Sequence, residues 1–300
     1  MDHQQFEVII IGGSYAGLSG ALALGRAKRK TLILDEGKPC NRQTPYSHNF
    51  LTHDGQKPSE ISTIAKSEVL NYPTISLSNE RVLIIEKIDL GFEVITAQHV
   101  YTSRKILLAT GLKDVFPDIM GFESCWGISV IHCPYCHGYE VSGEKIGLLM
   151  NGDHAFEMAK NLNHWNKELS VLTNGKSQLS VEQTNKLRSK SIDIIEEEVS
   201  EFIHENGVLS GVMFKNGAFI NLKAVYARCD VKQHLDFSQQ LAVEYTDLKT
   251  IKVNELQQTN VAGVYAAGDC TTLMRTVSVA VSAGTMAAVM INKALIEEDF

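Results

Sequence analysis

Residues 6–17 read Phe-Glu-Val-Ile-Ile-Ile-Gly-Gly-Ser-Tyr-Ala-Gly, and this stretch decides the fold. The apolar run 6–11 is typical of a buried parallel strand. A helical pattern of leucines follows it, and a second apolar run, residues 31–34, ends at Asp35 and Glu36. The order strand, glycine turn, helix, strand and acid predicts a dinucleotide-binding fold.

Each residue of the turn has a physical role in such a fold. Gly12 allows the tight turn, and Gly17 lets the helix pack closely on the strand. Backbone N–H groups at the helix start would hold a pyrophosphate, and Asp35 or Glu36 would bind ribose hydroxyls. Ser14 replaces the middle glycine of the motif and is small enough to be tolerated. The alternative is an ordinary strand–helix turn.

The chemistry is indicated by residues 132–137, His-Cys-Pro-Tyr-Cys-His. Cys133 and Cys136 are spaced to form a tight disulfide if Cys133 begins a helix, and a helix start lowers a thiol pKa. The pair therefore suits two-electron thiol–disulfide exchange. Three alternatives are attachment of a c-type haem, half of a zinc site that includes His132 and His137, and two inert cysteines.

Length, composition and charge restrict the possible partners and location of the protein. The chain has 300 residues, which favours two domains, and its net charge of −7 argues against nucleic acid and anionic membrane surfaces as partners. The first residues carry no positive cluster, so we expect no signal peptide. The longest apolar stretch, residues 278–291, is too short to span a bilayer. We therefore expect a cytoplasmic protein.

A cytoplasmic location restricts the roles that the cysteines can have. It disfavours haem attachment and a structural disulfide framework. A zinc site would also lack a second Cys-x-x-Cys pair. The four other cysteines are then bystanders: Cys40, Cys125, Cys229 and Cys270.

The remaining pattern alternates strands and helices. We predict helices at 58–70 and from 276 to 295, and strands at 81–90, 92–96, 105–111, 144–149, 169–172, 192–202, 208–214, 218–225 and 264–269. The segment 144–172 repeats the strand–turn–helix–strand unit in degraded form. Met150 stands at the first glycine, and neither an acid nor an arginine pair follows the second strand. Gly268-Asp269 before the last helix predicts a second anion and ribitol site.

Together these motifs resemble the low-molecular-weight thioredoxin reductase family of flavoproteins. The closest likeness is to a branch with a His-Cys-Pro-(Tyr/Phe)-Cys-His-Gly-Tyr-Glu motif, which includes bacterial reductase-like proteins and fungal dithiol oxidases. The resemblance implies an α/β fold of two doubly wound Rossmann-like domains and a homodimer. The FAD domain, 1–113 and 234–300, would be split by an inserted NAD(P)H-binding-like domain, 114–233, that carries the cysteine pair.

The resemblance also implies roles for single residues. Cys136 would lie next to the flavin, Cys133 would exchange with the substrate, and His137 would replace an aspartate acid/base. For His132 we expect a structural role. The FAD-binding residues would be Gly12, Ser14, Tyr15, Ala16, Gly17, Asp35, Glu36, Arg42, His48, Asn49, Ile85, Thr110, Gly111, Gly268, Asp269, Arg275, Thr276 and Val277. We predict no metal.

The nicotinamide motif departs from the family pattern. It reads Met150-Asn151-Gly152-Asp153-His154-Ala155, and only Lys176 offers charge where the family grips the NADPH phosphate. FAD is therefore expected and NADPH is doubtful. We predict an FAD-dependent thiol–disulfide oxidoreductase acting on a thioredoxin-like protein or a small dithiol. The alternatives are an NADPH-dependent thioredoxin-disulfide reductase and a flavin-binding redox sensor.

Overall fold

The computed structural model describes residues 4–300. Residues 1–3, which belong to the segment considered for a signal peptide, lie outside the described residues. The chain forms two compact units. Within the described residues, unit 1 comprises 4–42, Phe50–Lys113 and Val231–Phe300, and unit 2 comprises Gln43–Asn49 and Asp114–Asp230. The predicted boundaries lie after residues 113 and 233, and the prediction did not assign residues 43–49 to the inserted unit.

Successive α-helices are separated by one or more strands along the chain. In the first part they are β1 (Gln4–Ile11), α1 (Tyr15–Arg26), β2 (Thr31–Leu34), α2 (Pro58–Leu70), β3 (Ile75–Ser78), β4 (Val82–Ile88), β5 (Gly91–Thr96), β6 (Val100–Leu108) and β7 (Lys113–Val115). The middle part contains α3 (Phe122–Cys125), β8 (Val130–Ile131), α4 (Pro134–His137), β9 (Ile146–Leu149), α5 (Gly152–Leu162), β10 (Leu169–Leu172), α6 (Val181–Arg188), β11 (Asp193–Ile195), β12 (Val199–Glu205), β13 (Val208–Phe214), β14 (Phe219–Asn221), β15 (Ala224–Ala227) and β16 (Asp230–Lys232). The last part contains α7 (Phe237–Leu241), β17 (Val264–Ala266), a 3-10 turn (Asp269–Thr271) and α8 (Val277–Asp299).

Unit 1 is built on a seven-stranded sheet in the order β3-β2-β1-β6-β5-β4, with β17 also paired to β6. The strands β1, β2, β3, β6 and β17 are parallel, and β4 and β5 are antiparallel. Both faces are covered: Ile9 and Ile11 join one core cluster, and Val8 and Ile10 join the other. This period of two explains why β1 reads as a continuous apolar run.

The second face of this sheet is covered by α1 and α8. Small residues allow the two helices to approach closely: an ideal Cβ on Gly284 would lie 2.1 Å from the carbonyl oxygen of Ala16. The helix α8 is longer than the predicted apolar stretch, residues 278–291. It has 23 residues, and by length and composition alone it could cross a membrane. Its inner face is instead buried in unit 1, through Ala280, Gly284, Ala287, Ala288, Ile291 and Leu295.

Unit 2 contains a five-stranded parallel sheet in the order β11-β10-β9-β15-β8 and a three-stranded antiparallel sheet, β12-β13-β14. Two predicted strands are each divided between these sheets. The segment 192–202 breaks at three consecutive glutamates, Glu196 to Glu198, and the segment 218–225 breaks after Asn221. At the first break, charged side chains terminate the pairing with one sheet before pairing with the other begins. At the second break, a short bend does the same.

Candidate active site

The turn between β1 and α1 brings three backbone segments into contact. Gly12 has a φ of +106°, and an ideal Cβ there would lie 2.2 Å from the carbonyl oxygen of Ala109. An ideal Cβ on Gly17 would lie 1.8 Å from the carbonyl oxygen of Gly12. Ser14 is the N-cap of α1 but makes no side-chain cap hydrogen bond. The first N–H groups of α1 therefore remain available to an anion such as a phosphate.

Asp35 follows β2 directly and lies beside this turn. An ideal Cβ on Gly13 would be 2.9 Å from the Cβ of Asp35, so the carboxylate lies against the glycine turn. Lys66 Nζ of α2 is 3.8 Å from Asp35 Oδ2, a contact that the sequence did not indicate. Glu36 is 3.8 Å from Lys38 and so faces an exposed cation.

A second cluster forms before α8. Arg275 Nε donates to Asp269 Oδ2 at 3.1 Å, and the Thr276 hydroxyl accepts the N–H of Val279 to cap the helix that Val277 begins. Gly268 packs on Ala16, with its ideal Cβ position 2.9 Å from the Ala16 Cβ, so this cluster adjoins α1. The structure thus brings the predicted Gly-Asp and Arg-Thr motifs to the glycine turn.

Thr110 and Gly111 follow β6 at the same edge of the sheet. Thr110 Oγ1 is buried without a hydrogen-bond partner, and an ideal Cβ on Gly111, whose φ is +66°, would meet no atom within 4 Å. An unpaired buried hydroxyl beside open space indicates a missing polar ligand.

Other predicted cofactor residues are placed differently. The Ile85 side chain is fully buried in β4 and its N–H donates to Gln240 Oε1, so both are engaged within the protein. The exposed Arg42 donates to the Pro39 carbonyl within its own loop. His48 and Asn49 belong to unit 2.

Cys133 and Cys136 form a disulfide in unit 2, with their Cα atoms 5.3 Å apart. Cys133 is the N-cap of α4, and its carbonyl accepts the N–H groups of Cys136 and His137. Cys133 thus begins a helix, as the spacing required, and this helix has only four residues. Tyr135 between the cysteines is exposed and packs edge-on against Trp165 at 5.5 Å. The four other cysteines lie outside any disulfide.

The two histidines that flank the cysteines differ in environment. His132 stacks on Trp126, with ring centroids 5.6 Å apart. Burial lowers the pKa of His137, an effect that Glu140 opposes and His48 reinforces. The His48 and His137 rings are 6.5 Å apart and nearly perpendicular, and His48 Nε2 is 3.4 Å from Glu140 Oε1. A neutral imidazole next to a disulfide can accept the proton of an attacking thiol.

A family model described as pyridine nucleotide-disulphide oxidoreductase matches residues 6–284. The chain belongs to this family. Thioredoxin reductase sirT of Leptosphaeria maculans is 31% identical over 305 residues, covering 96% of this chain and 93% of that protein. Thioredoxin reductase aclD of Aspergillus oryzae is 30% identical over 300 residues, covering 95% and 94%. A solved oxidoreductase from Agrobacterium tumefaciens superposes with a TM-score of 0.91 at 33% identity, covering 98% and 99%.

Membership confirms the predicted fold class and the predicted activity. The protein is a thioredoxin reductase-like, FAD-dependent thiol–disulfide oxidoreductase with two Rossmann-type domains. The cradle of unit 1 fits FAD: the glycine turn excludes any Cβ, the Thr110 hydroxyl lacks a partner, and Asp35 and Asp269 offer carboxylates for ribose and ribitol hydroxyls.

One backbone donor of the corresponding turn of unit 2 is already engaged, although the family name implies a dinucleotide there. Asn151 makes four hydrogen bonds there. Its Oδ1 accepts the N–H groups of Gly152 and Gln178, and its Nδ2 donates to the carbonyls of Thr173 and Lys176. The carboxamide thus occupies the helix N–H that would bind a pyrophosphate, and it ties the β9–α5 turn to the 173–178 loop.

A cavity of about 400 Å³ adjoins this turn. It is lined by Met150, His154, Glu157, Met158, Lys160, Asn161 and Arg228. The sequence indicated the loss of the first glycine at Met150. It did not indicate the hydrogen bonds of Asn151, because these depend on a loop that is 25 residues away in the chain.

Proposed function

We propose that this flavoenzyme accepts electrons from an external dithiol through the Cys133–Cys136 disulfide and does not draw them from NADPH. The observation that supports this most is the disulfide itself, partly exposed and followed directly by the half-buried His137. When bound, FAD supplies a two-electron acceptor for the reduced pair. Dioxygen or a small electron carrier would then restore the oxidised state.

The residues of this chain would act in sequence. A substrate thiolate attacks Cys133, a partly exposed residue, and Cys136 leaves as a thiolate. The second substrate thiol displaces Cys133 from the mixed disulfide. His137 accepts a proton from the substrate and returns it to a leaving sulfur. The substrate becomes a disulfide, and both cysteines become thiols.

An anaerobic titration tests this proposal. We expect that NADPH and NADH leave the yellow flavin absorbance unchanged, that dithiothreitol bleaches it, and that air restores it. Rapid stoichiometric bleaching by NADPH would contradict the proposal. It would favour the second candidate, an NADPH-dependent thioredoxin-disulfide reductase, which the names of the fungal relatives suggest. No bleaching by any of these reductants would contradict both candidates.

We further propose that the protein is a cytoplasmic homodimer. The exposed apolar side chains of α8 support a dimer: Met286, Val289 and Ile296 are 41%, 53% and 51% exposed, and they follow one another at helical spacing. Four cysteines outside any disulfide suit a reducing compartment. Sedimentation of the wild type and of Val289→Glu tests the dimer, because a charge in that face would dissociate it.

A further inference from the structure

The loop Gln43–Asn49 approaches the redox pair within unit 2 and brings a histidine to it. His48 Nε2 lies 3.4 Å from Glu140 Oε1. The His48 ring presents an edge to His137, with centroids 6.5 Å apart and an interplanar angle of 87°. Glu140 itself follows His137 by three residues. A carboxylate and two imidazoles from two separate segments are therefore grouped beside Cys136.

The surroundings of His137 contain few charged groups. Glu140 favours its protonated form, and His48 disfavours it. The hydroxyl of Tyr226 in β15 is buried without a partner. Burial, reinforced by Glu140, raises the pKa of this hydroxyl well above its usual range, so it stays neutral. Among the ionisable side chains described around His137, besides the cysteines, Glu140 and His48 are thus the ones that act on its pKa.

We propose that Glu140 and His48 are positioning residues for His137, holding it ready to take the substrate thiol's proton. This inference rests on the proposed function. Glu140 pairs with His48, and the His48 ring in turn packs edge-on against the ring of His137. In the reaction, the substrate dithiol loses two electrons and two protons. The Cys133–Cys136 bond breaks and gains both electrons, and each cysteine ends with one proton, one of them delivered through His137.

A purely structural role is the competing explanation, in which Glu140 and His48 only fasten the loop to unit 2. The two explanations differ in what they predict for protons. Removing the charge at Glu140 should lower the pKa of His137 further, and removing the imidazole at His48 should raise it. A fastening contact would change the stability in both variants without opposite shifts in the His137 titration.

The test uses Glu140→Gln and His48→Gln, with Glu144→Gln as the matched control, since Glu144 is an exposed glutamate in the same segment. The first readout is the NMR titration of the His137 side chain. The second is the pH dependence of the rate at which dithiothreitol reduces the Cys133–Cys136 disulfide. We expect opposite shifts of the His137 pKa in the two variants, a rate loss of roughly tenfold or more in Glu140→Gln, and wild-type behaviour in Glu144→Gln.

The inference is overturned if Glu140→Gln folds and both its His137 titration and its pH–rate profile coincide with those of the wild type. Should Glu140→Gln fail to fold, Glu140→Asp replaces it in the test, because aspartate keeps the negative charge. Glu140→Asp should leave the His137 pKa near its wild-type value, and a clear fall of that pKa would also overturn the inference. If the wild type is not reduced by dithiothreitol, the proposed function fails, while the opposite titration shifts still decide whether Glu140 and His48 act on His137.

Discussion

The side-chain oxygen of Asn151 accepts the backbone N–H of Gln178 at 2.8 Å, across two consecutive βα units of unit 2. The same oxygen accepts the N–H of Gly152, the donor at the helix start that would meet a phosphate. The carboxamide oxygen of Asn151 therefore accepts a donor that an anionic ligand would use. The names of the relatives, which are called thioredoxin reductases, give no indication of this contact.

Restoring glycines at this turn should restore nucleotide binding. In the double variant Met150→Gly/Asn151→Gly, the N–H of Gly152 loses its internal acceptor. We expect affinity for NADPH to rise by about tenfold or more, equivalent to ~1.4 kcal/mol. Isothermal titration calorimetry measures it. Asn216→Ala is the matched control, because Asn216 caps a turn of unit 2 away from the nucleotide-like turn. Equal NADPH binding by the wild type and the double variant would show that Asn151 does not obstruct the turn.

The cysteine pair should be required for turnover and dispensable for cofactor binding. In Cys136→Ser the disulfide with Cys133 cannot form, so the two-electron exchange with a dithiol is lost. The FAD cradle lies in unit 1, and we expect flavin content to stay at the wild-type level. The variant Cys125→Ser, which changes a buried cysteine outside the disulfide, serves as the control for cysteine loss. Undiminished dithiol oxidation by Cys136→Ser would exclude the pair from the mechanism.

The contact between α1 and α8 should be intolerant of side chains. Valine at Gly284 would place its Cβ 2.1 Å from the carbonyl oxygen of Ala16, so one helix must move. Overpacking of this kind costs roughly 1–3 kcal/mol. We expect Gly284→Val to lower both the thermal midpoint and the FAD content, measured by melting curves and flavin absorbance. Ser282→Val, at an exposed position of the same helix, controls for the introduced valine; matching values for the two variants would refute the packing argument.

A buried carboxylate in unit 1 should make stability depend on acid pH. Burial alone would raise the pKa of Glu80, but hydrogen bonds from Ser78, Thr96, Tyr101 and His99 outweigh it and lower the pKa to about 2. Because this folded-state pKa is lower than the unfolded one, the stabilisation is complete above pH ~4.5 and is lost as the pH falls towards the folded value.

Glu80→Gln should therefore destabilise the protein at neutral pH by roughly 1.5–3 kcal/mol, the range for hydrogen bonds to a charged group. The difference from the wild type should shrink between pH 4.5 and acidic pH. Urea unfolding followed at several pH values measures both effects. A constant difference across the acidic range would mean that the charge of Glu80 is not what the network stabilises.

Local patterns predicted much of this molecule. The bounds of β2, α2, β10 and β13 were predicted to the residue, since each is an apolar or amphipathic run with clear turn signals at both ends. The divided segments 192–202 and 218–225 could not be resolved, because period and propensity do not say which sheet a strand joins. The same limit applies to the site: Glu140 was visible in the motif, but its partner His48 is 92 positions earlier in the chain, and only the fold brings them together.

The two-part character of unit 1 has a consequence for synthesis. Residues up to Lys113 supply six strands of its sheet, but β17, which pairs with the C-terminal part of β6, and α8, which packs on α1, are made last. The inserted unit must leave the ribosome before unit 1 can finish, so the nascent first segment exposes the apolar faces of α1 and β6 throughout. Flavin capture is then a post-translational event, and a chain that stops before β17 should be a client of chaperones and proteases rather than a shortened enzyme.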